Sequence, residues 1–196
     1  MTLPPLVLAS ASPRRKELLE RIGLTFEVLP SDVDEFFHGG SPEAFAREAS
    51  ARKAEVASRR RPGAAVVAAD TIVVLRDEDS GTDRVLGKPE GPDEARRMLA
   101  ELSDRKHLVI SGVTVQWGDR ARTASQETRV WFRALSPDEI DRYVATGEPL
   151  DKAGGYGIQG RGILLVDRLE GCYTNIVGLP LGLLRKLLHQ LNLNWL

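Results

Sequence analysis

Apolar residues follow two rhythms along this chain. Short, nearly unbroken apolar runs alternate with longer stretches in which apolar positions return every three or four residues. The first rhythm marks buried strands and the second marks amphipathic helices. Leu6-Val7-Leu8-Ala9, Phe26-Glu27-Val28-Leu29, Ala64 to Leu75, Val85-Leu86, Leu108 to Trp117, Glu127 to Phe132 and Ile163-Leu164-Leu165-Val166 read as strands. Helices are predicted after Ser12-Pro13, Ser41-Pro42, Gly91-Pro92 and Ser136-Pro137, and from Pro180 through His189. A small or hydroxyl residue before a proline suits an N-cap followed by the first helical position. Polar stretches at Arg76 to Arg84 and at Gly118-Asp119 read as turns, and the second joins two strands into an antiparallel hairpin. The alternation predicts an α/β fold with a mixed sheet. Its short connections leave no room for independent domains.

Composition narrows the function classes. Among 196 residues the net charge is −1, so bulk electrostatics favours neither nucleic acid nor an acidic membrane. Anion binding must then be local. No apolar run approaches a membrane span, and the N-terminus lacks the pattern of a secretory signal. A single cysteine, Cys172, allows no internal disulfide, and a cytoplasmic location is expected. His38, His107 and His189 have no metal-ligand spacing.

Candidate chemistry begins at Ser10-Ala11-Ser12-Pro13-Arg14-Arg15-Lys16. A helix N-terminus carries partial positive charge and ordinarily attracts acidic residues. Three cations in the first turn instead point to a bound anion, and N–H groups with arginine forks make a phosphate site. Asp70 interrupts the apolar run Ala64 to Leu75. A carboxylate in such a strand survives where it meets a cation, a metal or a cleft. Asp32, Asp34 and Glu35 form an acidic loop of hard oxygen ligands, readable either as a Mg²⁺ site or as a solvated loop. Lys53 lies on the helix stripe Ala46, Ala49, Val56, either snorkelling or reaching a phosphate. Lys88 is framed by Gly87 and Pro89. The segment Asp151 to Gly160 is dense in glycine and carries Gln159, whose amide both donates and accepts, as reading a base edge requires. Gly155 to Gly160 matches a dinucleotide fingerprint in letters but is followed by a strand pattern, not a helix. Gly81 to Lys88 has the wrong spacing for a P-loop.

Taken in order, Leu8 to Arg15, Ser31 to Glu35, Ala69-Asp70-Thr71, Leu86-Gly87-Lys88-Pro89, Asp151 to Gly160 and Asn175 to Leu181 resemble the Maf family of nucleoside triphosphate pyrophosphatases. The resemblance covers nearly the whole chain and implies a single Maf-like domain over residues 1–196. It implies an elongated mixed β-sheet flanked by helices, with two lobes and a central cleft, similar to inosine triphosphatases. It implies hydrolysis of dTTP and UTP to the monophosphate and pyrophosphate with Mg²⁺ or Mn²⁺. Asp70 matches the catalytic aspartate, as base or as metal ligand with Glu35. Ser10, Arg14, Arg15, Lys53, Thr71, Lys88 and Gln159 match substrate-binding positions. Arg14, Thr71 and Gln159 look like the pyrimidine-selecting set. The expected partner is the nucleotide, with neither nucleic acid nor membrane, and a homodimer is allowed. A 7-methyl-GTP pyrophosphatase and a non-enzymatic nucleotide sensor in cell division are the competing readings. Ile110-Ser111-Gly112-Val113 departs from the family's usual Thr-Gly-Val, a change expected not to touch the catalytic set.

Overall fold

The computed structural model describes residues 3–31, 33, 37, 39–77 and 81–195. In chain order the elements are β1 (Leu6–Leu8), α1 (Pro13–Arg21), β2 (Glu27–Val28), α2 (Pro42–Arg60), β3 (Ala65–Arg76), β4 (Asp83–Leu86), α3 (Pro92–Leu102), β5 (Lys106–Trp117), β6 (Arg120–Phe132), α4 (Pro137–Val144), β7 (Val166–Glu170), α5 (Tyr173–Val177) and α6 (Leu181–Gln190). Helices α1 to α4 each place proline in the first turn after an extended residue, as the dipeptides predict. Ser41 caps α2 by accepting from the Ala44 N–H, and Ser136 with Glu139 closes a capping box on α4.

The seven strands form one mixed sheet in the order β2-β1-β3-β5-β6-β7, with β4 paired to β3. β1 runs parallel to both β2 and β3, whereas β4 is antiparallel to β3 and β7 to β6. Gly118, with φ of 57°, turns β5 into β6 across a two-residue connection. β6 begins at Arg120, well before the apolar run that predicts it, because the hairpin carries its polar first half. The helices flank this sheet, so the α/β reading stands.

Two compact units divide the chain. One comprises Met1–Thr71, Ser111–Gln126 and Gly178–Leu196, and the other Ile72–Ile110 and Glu127–Val177. In the first, α2 lies on the sheet through a stripe of small residues, Ala46, Ala49, Ser50, Ala54 and Ala57. At Gly112 the two backbones come so near that an added Cβ would sit 2.0 Å from the Ala46 carbonyl oxygen. In the second unit, Leu99, Leu102, Val130, Phe132, Tyr143 and Tyr156 belong to a core of larger side chains. The residues predicted as a strand over Ile163 to Val166 instead form a 3₁₀ turn, Gly160–Leu165, and β7 begins only at Val166. Gly162 packs so tightly on Gly157 that a Cβ would meet its carbonyl oxygen at 2.2 Å. Arg133 binds the Leu164 carbonyl through Nε at 2.7 Å, leaving Ile163 and Leu164 exposed rather than in a ladder. No helix among the described residues is long and apolar enough to cross a membrane.

Candidate active site

The turn between β1 and α1 holds the first cluster. Ser12 precedes the helix in an extended conformation, as predicted, but its side chain makes no cap. Its N–H donates instead to Ser10 Oγ at 3.2 Å. No acidic residue occupies the first turn of α1, so Arg14 and Arg15 stand at its positive end. Arg14 is half-buried. The Arg15 guanidinium donates through Nη1 to Ser10 Oγ at 3.0 Å, through Nη2 to Thr71 Oγ1 at 3.1 Å and through Nε to the Gly178 carbonyl at 2.8 Å. Those three acceptors are neutral. They orient the fork.

A serine hydroxyl has two acceptor sites and one proton. Ser10 accepts from Ser12 and Arg15, so among the described residues its proton is left to donate outward. Thr71 accepts from Arg15, lies 2.8 Å from Ser111 Oγ and donates to the Gly178 carbonyl at 3.3 Å. Its hydroxyl is spent on holding Arg15 in place. Ser111, fully buried on β5, is therefore joined to the site through Thr71. The Ser111 departure thus meets Thr71, a predicted substrate-binding position. A hydroxyl inside the run Leu108 to Val113 was the one sequence signal for it.

Asp70 ends the buried first half of β3, its side chain only 6% exposed. Lys53 comes down from α2 and places Nζ 2.8 Å from Asp70 Oδ1, its own side chain 13% exposed. Lys53 thus meets a carboxylate in this structure, a partner its stripe could not name. An ion pair this buried is costly to build and costly to break, because removing one partner strands the other.

The second unit brings two other predicted segments together. The Gly154 N–H donates to the Gly87 carbonyl at 2.9 Å, tying the glycine-rich loop to the residue before Lys88. Gly154 and Gly155 both have φ of 69°, which lets the chain turn there. Lys88 is exposed, and Gln159 is half-buried immediately before the 3₁₀ turn. The acidic-loop candidates Asp32, Asp34 and Glu35 lie outside the described residues. Among the described residues no group of three or more His, Cys, Asp or Glu side chains could cage a metal. Asp70 still fits a shared ion. Mg²⁺ at a nucleotide site is ordinarily held by one or two carboxylates plus substrate phosphates.

Comparison with known proteins agrees with the motif order. The Maf-like protein family matches residues 5–191. A dTTP/UTP pyrophosphatase of Moorella thermoacetica is 52% identical over 186 residues, covering 93% of each chain. One from Symbiobacterium thermophilum is 49% identical over 177 residues, covering 90% of this chain and 88% of that protein. Among solved structures, the Staphylococcus aureus Ham1 protein aligns with a TM-score of 0.47 at 18% identity, over 83% of this chain and 79% of that one. A nucleoside-triphosphatase / dITP/XTP pyrophosphatase from Mycobacterium abscessus aligns with a TM-score of 0.39 at 17% identity, over 65% and 72%. With a family match spanning almost every element and relatives this similar over nine-tenths of the sequence, the chain belongs to the Maf family.

Proposed function

We propose that this chain is a nucleoside triphosphate pyrophosphatase that hydrolyses dTTP and UTP to the monophosphate and pyrophosphate. The observation that carries the reading is 52% identity over 93% of both chains with an enzyme of that name. A buried Lys53–Asp70 pair and an oriented Arg15, both in the first unit, support it.

Phosphoryl transfer demands positioning and charge neutralisation more than covalent help from the protein. Arg14, Arg15 and the first N–H groups of α1 take the triphosphate. Ser10 donates its remaining proton to a phosphate oxygen. Lys53 and Lys88 add positive charge. Asp70 is the catalytic carboxylate, and two roles suit it: base to the attacking water, or ligand to a divalent cation with Glu35. A Mg²⁺ or Mn²⁺ ion held by these carboxylates and the phosphates would supply further neutralisation when bound. In the reaction, water oxygen bonds to the α-phosphorus as the bond to the α–β bridging oxygen breaks. Pyrophosphate leaves with that electron pair, and Asp70 as base accepts the water proton. Gln159, with Arg14, selects the pyrimidine. Thr71 contributes through Arg15, to which its hydroxyl is committed. Substrates of this kind place the protein in the cytoplasm.

The test is a panel of UTP, dTTP, CTP, GTP and 7-methyl-GTP turned over with Mg²⁺ in ¹⁸O-water. UTP and dTTP are expected to react fastest, with the label in the monophosphate. Orthophosphate and diphosphate as products would overturn attack at the α-phosphorus. Preference for 7-methyl-GTP would overturn the pyrimidine assignment, and tight dTTP binding without turnover would favour a sensor.

A further inference from the structure

His107 sits on β5 in the second unit, 1% exposed. Its Nε2 lies 2.8 Å from the Tyr156 hydroxyl. Both rings pack edge-on with Phe132, at centroid distances of 4.9 and 4.7 Å. His107 Nδ1 is buried with no hydrogen-bond partner among the described residues. Burial holds the imidazole neutral, its pKa pushed down to about 3. Either direction leaves one donor and one acceptor unmatched, so counting alone does not choose. A phenol is the more acidic donor and an imidazole nitrogen the more basic acceptor, so Tyr156 donates to Nε2 and Nδ1–H is the unmatched donor.

Packing alone does not call for this pair. Two phenylalanines would fill the same aromatic cluster with no polar atom to satisfy, and a half-satisfied buried pair is worse than an apolar one. What the hydrogen bond adds is direction, because it restricts where the phenol can sit. Tyr156 lies three residues before Gln159. On its far side the loop is clamped again: Gly157 N–H donates to the Tyr143 hydroxyl at 3.2 Å, and Arg161 N–H to Glu148 Oε1 at 3.1 Å. Gln159 is thus presented from a short span fixed at both ends.

We propose that His107 is a positioning residue for base selection, acting through the Tyr156 phenol on the loop that presents Gln159. This rests on the reading of Gln159 as the residue that selects the pyrimidine. The test compares UTP and GTP kinetics and thermal melts for the wild type, Tyr156→Phe, His107→Phe, His107→Gln, Gln159→Ala and the Tyr156→Phe/Gln159→Ala double variant. Loss of one directing hydrogen bond should raise KM for UTP about tenfold in Tyr156→Phe, with kcat changed by less than about twofold. The preference for UTP over GTP should fall by about the same factor, and His107→Phe should match it. His107→Gln, which keeps a polar group near the phenol, should recover part of the preference. Adding Tyr156→Phe to Gln159→Ala should cost nothing further. A lowered melting temperature with wild-type KM and preference would overturn the proposal, as would multiplying effects in the double variant. Should His107→Phe fail to fold, Tyr156→Phe, which keeps the ring, decides alone. If the wild type binds UTP without turnover, the function reading fails by itself, and the same comparison is made on dissociation constants for UTP and GTP.

Discussion

The two compact units differ in the polar groups that surround their predicted site residues. In the first, the polar groups near Arg15 and Asp70 are dominated by full charges: an ammonium on a carboxylate at 2.8 Å, and a guanidinium spread over three oxygen acceptors. In the second, neutral rings and hydroxyls add to the charged contacts of Lys152 and Glu148 in holding the glycine-rich loop, through Tyr156 with His107 and through Tyr143. Burial raises Tyr143 to about 12, raises Tyr156 as well, and lowers His107, so all three stay uncharged at neutral pH. The cores differ in the same sense. Small alanines let helix and strand approach closely in the first unit, whereas the aromatic rings buried among the described residues, Phe132, Tyr143 and Tyr156, all lie in the second. The contrast suits a division of labour. A polyphosphate is gripped by charge, which acts at a distance and tolerates small errors of placement. A base edge is neutral and is told apart only by the direction of hydrogen bonds, which requires stiff, shape-filled surroundings.

The comparison breaks first at Asp70. Asp70→Asn keeps the size of the side chain and an oxygen for Lys53, so the protein should fold, while kcat falls by about a thousandfold. A melt and steady-state kinetics on UTP check both halves, and near-wild-type kcat would remove Asp70 from the chemistry. Arg15→Lys is next. A single ammonium cannot serve Ser10, Thr71 and the Gly178 carbonyl together, so kcat/KM should drop by about a hundredfold for every triphosphate alike. A base-dependent loss would move Arg15 out of the charge-gripping group.

The second unit is probed by pH. His107 stays neutral in the folded protein down to about pH 3, whereas in the unfolded chain it takes a proton near its ordinary value of about 6.5. Between those values the unfolded state binds the extra proton, so stability falls as pH is lowered. The cost from this one residue is about 2 kcal/mol on going from pH 7 to pH 5. Urea titrations should show that slope in the wild type and a flatter one in His107→Phe. The smallest effect is expected at Ser111→Ala. Losing one partner of Thr71 should cost about 1 kcal/mol of stability and lower kcat/KM about threefold for UTP and GTP equally. A change in the UTP preference would instead tie Ser111 to base recognition.

Local chemistry made much of this legible. Proline after serine or glycine marked four helix starts because capping is decided within a few residues. The missing acid at the start of α1 announced its cations. Asp70 could be singled out because a strand exposes its oddities one residue at a time. Partners were harder. Lys53 and Asp70 are 17 positions apart, and Ser111 and Thr71 are 40 apart. Only the sheet order brings β3 beside β5. Ile163-Leu164 misled for a similar reason. Their apolarity suggests a strand, but the glycines before them fold the chain back, and Arg133 captures the Leu164 carbonyl.

Gly112 shows how far such distant dependence reaches. With no side chain there, the backbone of α2 at Ala46 settles directly onto β5. Lys53 lies seven residues further along the same rigid rod, about 10 Å at the usual helical rise. Any methyl at position 112 would jack that rod off the sheet and lift the ammonium from its carboxylate. Position 112 therefore works as a gauge block. The spacing of two paired charges is machined by a residue that has no functional group.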